Sequence, residues 1–394
     1  MEPMTEQAEL VYLDYAASTP VDPQVAEAMT ALMTVTGNYA NPSSTHAAGR
    51  RSVELITQAA DQLAALINTD ADRVIWTSGA TESDNLAILG GAHYRQDRGR
   101  HLITMRTEHK AVTDPFSELE RQGFEVTWLD PESNGVLDIA KLDAAMRDDT
   151  QLVSIMHVNN ETGVVQDIRK IGAACRENDV LFHVDAAQSV GKLPIDLESC
   201  CVDLMSMTAH KVYGPKGIGA LYIANRPGVH VDPLLYGGGQ QRRLRPGTLP
   251  AQQIIAFGMA AEVARSRMND DLEHLTAMRD LFWSGISDLP GVSLNGDIAN
   301  GFPGILNVSV EDIEGESLLL ALEPICVATG SACNSKSQEP SYVLRALGLS
   351  DELAQSAIRF SFGRPTRVEE VDLAIELYRG AIGKLRQIAP ERAA

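Results

Sequence analysis

Cysteine is scarce in this chain: five of 394 residues, at Cys175, Cys200, Cys201, Cys326 and Cys333. The count is odd and no pair has CxxC spacing, which excludes a disulfide framework and a thiolate metal site of familiar spacing. The expectation is a reducing, cytoplasmic setting with no metal. Positive charge is also in short supply. Lys and Arg number 33 against 53 Asp and Glu, a formal net charge of −20. Such a surface repels phosphate backbones and anionic lipid, so direct binding of nucleic acid or membrane is not expected. Long apolar runs are absent. Residues 317–322 and 357–362 are typical of the longest, far short of the roughly 20 residues a membrane helix needs. The N-terminal MEPMTEQAEL is acidic and has no apolar core, unlike a signal peptide. Nor is there an internal repeat, a low-complexity tract or a Pro/Gly/Ser linker.

What is present is ordinary globular material, 44% hydrophobic and 22% charged. At roughly 150 residues per domain, the length suggests two to three domains, or one large α/β body with a smaller partner. From about residue 74 to 225, short apolar runs alternate with amphipathic stretches. Residues 74–76, 101–105, 124–128, 152–157, 180–184, 204–207 and 220–223 read as strands, and 138–147 and 168–177 as helices. That alternation predicts a mostly parallel sheet covered on both faces, whose ligands bind beyond the carboxyl ends of the strands. After about 251 the pattern changes to helices at 251–267 and 272–289, with short strands at 304–309, 325–329 and 358–362. A last helix sets Val368, Val371, Ala374, Ile375, Tyr378, Ile382 and Leu385 on one face, which reads as core packing. A smaller α+β domain is therefore expected after about 265.

Four segments stand out for their chemistry. Thr77-Ser78-Gly79-Ala80-Thr81-Glu82 follows a strand and opens a helix. Its free N–H groups suit a phosphate, or it is an ordinary helix cap. His183-Val184-Asp185-Ala186-Ala187-Gln188 puts an aspartate at the end of a buried strand. That carboxylate either faces a site or caps the next helix. Ser206-Met207-Thr208-Ala209-His210-Lys211 places a lysine before a Gly/Pro turn. There it can form a Schiff base with an aldehyde cofactor, or it is a solvated surface lysine. Pyridoxal phosphate needs such a lysine, a carboxylate for its ring nitrogen and a phosphate cup. Thr329-Gly330-Ser331-Ala332-Cys333-Asn334-Ser335-Lys336 sets one thiol in a run of small and polar residues, next to a lysine. It is an exposed reactive cysteine or a spare one. Cys175 and Cys326 read as core residues, and Cys200 and Cys201 as structural.

Together these segments resemble the cysteine desulfurase family of the housekeeping iron–sulfur type, in the class-V aminotransferase superfamily. The likeness runs nearly end to end. It includes Tyr12-Leu13-Asp14-Tyr15-Ala16-Ala17, Asn41-Pro42-Ser43-Ser44, Glu108-His109-Lys110 and His157-Val158-Asn159-Asn160-Glu161. It also includes Arg245-Pro246-Gly247-Thr248, Gly330 to Cys333, Glu339-Pro340-Ser341-Tyr342 and Arg359-Phe360-Ser361. The resemblance implies an α/β fold of the fold-type-I pyridoxal-phosphate transferases. Its large cofactor domain would span 19–265. A small domain would be formed by 1–18 and 266–394, with the cysteine loop at about 329–342. It implies a homodimer using pyridoxal 5'-phosphate. Carried over by position, Lys211 holds the cofactor and acts as the base at Cα, and Asp185 pairs with the ring nitrogen. His109 stacks on the ring and moves protons, and Gln188 hydrogen-bonds the ring hydroxyl. Ala80, Thr81, Thr208 and His210 cup the phosphate, and Thr248 reaches that of the neighbouring subunit. Asn160 and Arg359 hold the substrate carboxylate. Cys333 takes the sulfur of L-cysteine as a persulfide, L-alanine leaves, and His109 is the expected activator of the thiol. The loop is of the longer kind, which implies an arm that carries sulfur to a partner.

Some positions depart from the family. Thr208-Ala209-His210 stands where serine and glycine are common, and Asn334 and Lys336 replace other small residues. Scaffold-serving members carry a further C-terminal docking tail, which is not expected after Ala394. The acceptor protein implied is an iron–sulfur scaffold, a sulfur relay or a tRNA- or DNA-modifying enzyme. A selenocysteine lyase is the alternative within this chemistry. A silent adaptor is opposed by the Lys211, Asp185, His109 and Cys333 set, and a plain aminotransferase leaves the Cys333 loop unexplained.

Overall fold

The computed structural model describes residues 10–329 and 339–388. In chain order the first part contains β1 (Val11–Tyr12), α1 (Pro23–Leu32), α2 (Ala47–Leu66), β2 (Val74–Thr77) and α3 (Ala80–Tyr94). There follow β3 (His101–Met105), α4 (Lys110–Arg121), β4 (Glu125–Leu129), α5 (Ile139–Ala145), β5 (Thr150–Ser154) and α6 (Ile168–Glu177). β6 (Leu181–Asp185), β7 (Leu204–Thr208) and β8 (Gly219–Ile223) complete the main sheet, and α7 (Ala251–Ile286) follows. The last part holds β9 (Val292–Leu294), β10 (Ile305–Val310), α8 (Gly315–Ala321), β11 (Ile325–Cys326) and β12 (Ala328–Thr329). It ends with α9 (Tyr342–Ala346), α10 (Asp351–Gln355), β13 (Ile358–Ser361) and α11 (Val368–Ile388).

The seven-stranded sheet runs β2-β8-β7-β6-β5-β3-β4. Pairs among β3 to β7 are parallel, and β8 alone runs against its neighbours β2 and β7. Except for the edge strand β4, its strands are buried throughout, which is why they carry apolar residues on both faces. Alternate residues serve different layers. Val153, Phe182 and Met205 pack with α2, α6 and α7 residues such as Leu63, Ile171 and Phe257. Leu102, Leu152 and Leu181 pack on the opposite face with Ile88, Val112 and Phe116 of α3 and α4. The doubly covered, mostly parallel sheet expected from the sequence is therefore present.

A second core gathers Leu13, Phe282, Ile305, Val308, Phe360 and Tyr378. They surround a four-stranded sheet ordered β12-β13-β10-β9, antiparallel throughout. Four expectations need correction here. The two helices expected at 251–267 and 272–289 are one helix of 36 residues, because its buried face continues from one core into the next. Ala251 to Ala264 contribute to the first core, and Leu275 to Ile286 to the second. The strand expected at 325–329 is two strands in different sheets, β11 beside β1 and β12 beside β13. On α11, Val368 is 47% exposed at the first turn rather than buried. Cys175 is a core residue as expected, but Cys326 is only half-buried. Among the described residues no helix is long and apolar enough to cross a membrane.

Candidate active site

A cavity of ≈ 530 Å³ opens at the carboxyl ends of the parallel strands. Strand ends and the turns behind them deliver its residues. The turn after β7 carries His210 and Lys211 into the wall. It is tied down by Ala209 N–H to Ile218 O (3.2 Å), Gly214 N–H to Ala209 O (2.9 Å) and Thr19 N–H to His210 O (2.9 Å). Asp185 ends β6, and its Oδ1 accepts the Ala187 N–H at 2.8 Å. No helix follows β6, so the helix-cap reading of this carboxylate is corrected: the bond closes a turn at the cavity wall.

After β2 the chain turns at Gly79 into α3. The first helical N–H to reach back is that of Ser83, to Gly79 O at 3.2 Å. The N–H groups of Ala80 and Thr81 precede it and face no helical carbonyl. Gly79 sits at φ +157°. Gly219, at the start of β8, must also be glycine. A Cβ there would lie 2.5 Å from Gly79 Cα and 2.5 Å from Met207 O. Glu82 reaches back to the Ser78 N–H (2.7 Å) and accepts Arg245 Nε (2.8 Å). Although burial opposes it, these bonds hold the Glu82 carboxyl below its usual range.

His109 is the N-cap of α4, and its Nδ1 accepts the Ala111 N–H at 3.1 Å. The neutral ring therefore carries its proton on Nε2. Burial lowers its pKa against the opposing charge of Asp185. Burial, with Lys211, Lys216 and Lys192 nearby, pushes His210 down to about 4. Both rings are neutral at pH 7. Arg359, on β13, donates from Nη1 to Asn160 O (2.7 Å) and from Nη2 to Asp14 Oδ1 (2.7 Å). Its buried Nε has no partner among the described residues. The neighbouring Asn159 shapes the loop: its Oδ1 accepts the N–H groups of Glu161 and Thr162, both at 2.9 Å.

Ten of the residues expected at a site line this one cavity: Ala80, Thr81, His109, Asn160, Asp185, Gln188, Thr208, His210, Lys211 and Arg359. Two do not. Thr248 is exposed and outside it, and Cys333 lies outside the described residues. Four lining carboxyl groups were given no role from sequence: Asp14, Glu82, Asp84 and Glu161. Asp84 is fully buried, and that burial, with Asp185 beside it, raises its pKa. Burial pushes Glu161 up to about 7, although it accepts the Ser341 hydroxyl at 2.5 Å. Both flanks of the segment holding Cys333 meet this region. Thr329 lines the cavity. On the other side Ser341 binds Glu161, and the Tyr342 hydroxyl donates to Glu108 O at 2.7 Å.

The family described as aminotransferase class-V matches residues 11–373. A cysteine desulfurase IscS of Cronobacter sakazakii is 55% identical over 381 residues, covering 96% of this chain and 94% of its own. The solved structure of a NifS-like protein matches with a TM-score of 0.89 and 34% identity, over 95% of this chain and 100% of that one. SspA in complex with cysteine matches with a TM-score of 0.80 and 37% identity, over 91% and 99% of the two chains.

Proposed function

The chain belongs to the class-V aminotransferase family and, within it, to the cysteine desulfurases, and from that premise we propose that it converts L-cysteine to L-alanine, holds the sulfur as a persulfide on Cys333 and passes it to an acceptor protein. The observation that carries this reading is one cavity shared by a lysine, an aspartate, a neutral histidine and a free helix N-terminus. Names of relatives favour cysteine over the selenocysteine alternative, and SspA was solved with cysteine bound.

The proposed cofactor is pyridoxal 5'-phosphate, and the residues present fit it. The glycine-walled turn at Gly79 leaves room for a phosphate at the N–H groups of Ala80 and Thr81. Thr208 and His210 border it, the Lys211 amine would bind the aldehyde, and Asp185 would face the ring nitrogen. When bound, the cofactor supplies an electron sink for the substrate Cα. The Lys211 amine would take the Cα proton. His109 has its Nδ1 committed to the helix cap, so it meets the cavity as an Nε2–H donor before it can accept a proton. Arg359 would grip the substrate carboxylate with Asn160. One arm of its fork already rests on Asp14, which sets its plane. The Cys333 thiolate then attacks the substrate sulfur, and the Cβ–S electrons leave with the alanine fragment. A free cysteine has a pKa of roughly 8.5, so the thiol needs an activator.

The reading extends to a homodimer. Exposed Thr248 is free to serve a neighbouring subunit, and Val35 and Tyr236 are 89% and 87% exposed. We place the division between a large and a small domain near residue 265, supported by the change of core along α7. The protein is proposed to be cytoplasmic. Its acceptor is proposed to be an iron–sulfur scaffold, a sulfur relay or a sulfur-modification enzyme.

The test is a visible spectrum of the purified protein, followed by L-cysteine without reductant. A cofactor band, a burst of one alanine per site and one added sulfur on Cys333 by mass spectrometry are expected. A colourless protein, or alanine formed with no sulfur on Cys333, overturns the reading. Cys333→Ala separates the alternative. A desulfurase loses alanine release from cysteine, whereas a selenocysteine lyase keeps its release from selenocysteine.

A further inference from the structure

Gln188 lines the cavity with both ends of its amide already engaged on the protein side. Its Nε2 donates to Ala16 O at 2.8 Å, and its Oε1 accepts from Lys192 Nζ at 3.1 Å. The two partners are of opposite kind: a carbonyl only accepts, and an ammonium only donates. Turning the amide by 180° would set NH₂ against the ammonium and oxygen against the Ala16 carbonyl, losing both bonds. Lys192 and Ala16 therefore fix which end is which. One hydrogen on Nε2 is spent on Ala16, and the other is left for the cavity.

Lys192 does not line that cavity. It lines a separate void of ≈ 30 Å³ with Phe302, Tyr15, Tyr213, Asp271 and Arg364. Its ammonium lies 5.5 Å from the centre of the Phe302 ring. Burial, with the charges of Lys211 and Arg359, pushes its amine down to about 7. The neutral amine also has N–H groups to give, so the link to Gln188 holds through its titration, more strongly when charged.

We propose that Lys192 is a positioning residue which makes Gln188 an obligate hydrogen-bond donor toward a negatively charged oxygen on the ring of the bound cofactor. The inference rests on the pyridoxal phosphate reading above. A donor aimed at the ionised oxygen favours that form, and a free amide that can turn its oxygen inward disfavours it. The role is felt as a property of the bound cofactor, independent of turnover.

The experiment is a pH titration of the visible band of substrate-free holoenzyme. Lys192→Met is expected to raise the midpoint by about 0.5–1 pH unit while keeping the wild-type cofactor content. Lys192→Arg, which retains a donor, is expected to titrate as wild type. Lys192 could also act directly through its charge, so the Gln188→Leu background completes a double-mutant cycle. There Lys192→Met is expected to add nothing. If Lys192→Met is insoluble, Lys192→Gln takes its place in the same cycle, with a smaller shift of the same sign. An unshifted midpoint in Lys192→Met (or in Lys192→Gln where it takes its place), or an equal shift with and without Gln188, overturns the proposal. A wild-type protein that binds no chromophore overturns the function reading, and this inference with it. A coloured wild type with an unshifted variant overturns this inference alone.

Discussion

His109 has two duties that one substitution separates. Its Nδ1 caps α4 through the Ala111 N–H, while the rest of the ring faces the cavity. Asparagine is a good N-cap but has no imidazole. His109→Asn should therefore melt within about 2 °C of wild type in calorimetry, the cap loss being small. Its alanine release should fall by about 100-fold or more. Arg359 offers a second separation. Its planar fork meets Asn160 O and Asp14 together, a geometry that a lysine ammonium cannot reproduce. Arg359→Lys should raise KM for cysteine by roughly tenfold or more and change kcat less, as steady-state kinetics will show. Motifs marked most of these side chains. They did not mark Asp14 or Glu161 as site residues, because each acts through a distant partner. Asp14 meets Arg359 across 345 positions, and Glu161 meets Ser341 across 180.

At the scale of elements, two glycines decide how closely backbones approach. On α7, a Cβ at Gly258 would lie 2.5 Å from Ala59 Cα of α2. Gly258→Val should force these helices apart and cost roughly 1–3 kcal/mol, read from denaturant unfolding. Gly219 lets β8 run beneath the turn that opens α3. Gly219→Ala should displace that turn and weaken cofactor retention about tenfold, measured by release during dialysis, with a stability loss of roughly 1–3 kcal/mol. Strand positions were legible because β3 and β5 to β8 are buried on both faces and each carries apolar residues. The join within α7 was not, since residues 269–271 are polar and their sequence gives no sign that the helix continues.

For the whole molecule, stability depends on pH through groups taken out of water. The Glu161 carboxyl has its pKa raised to about 7 by burial. Between its unfolded value near 4.5 and that pH, the folded chain holds a proton that the unfolded chain has lost. This share of stability is present below about 4.5 and is lost as pH rises to about 7. His157, which burial lowers to about 4, has the opposite sign. Its share is present above the unfolded histidine value and is lost as pH falls toward about 4. Glu161→Gln keeps an acceptor for Ser341 but cannot ionise. Its melting temperature relative to wild type should therefore climb between pH 4.5 and 7, by an amount equivalent to roughly 1–3 kcal/mol. A difference that stays flat with pH would mean that Glu161 is ionised in the fold.

The sequence by itself determined the doubly covered sheet, the smaller α+β part and the identity of most cavity residues. Apolar runs bury strands wherever they lie, and the family motifs are short segments that read locally. Only the tertiary structure decided which groups oppose one another. It placed Asp14 on Arg359 and Glu161 on Ser341, made one helix of two expected ones, and put Lys192 behind Gln188. The physical reason is that a hydrogen bond or ion pair depends on distance and direction between two side chains. Across hundreds of residues, these are set by the packing of the two cores, and no local pattern encodes them.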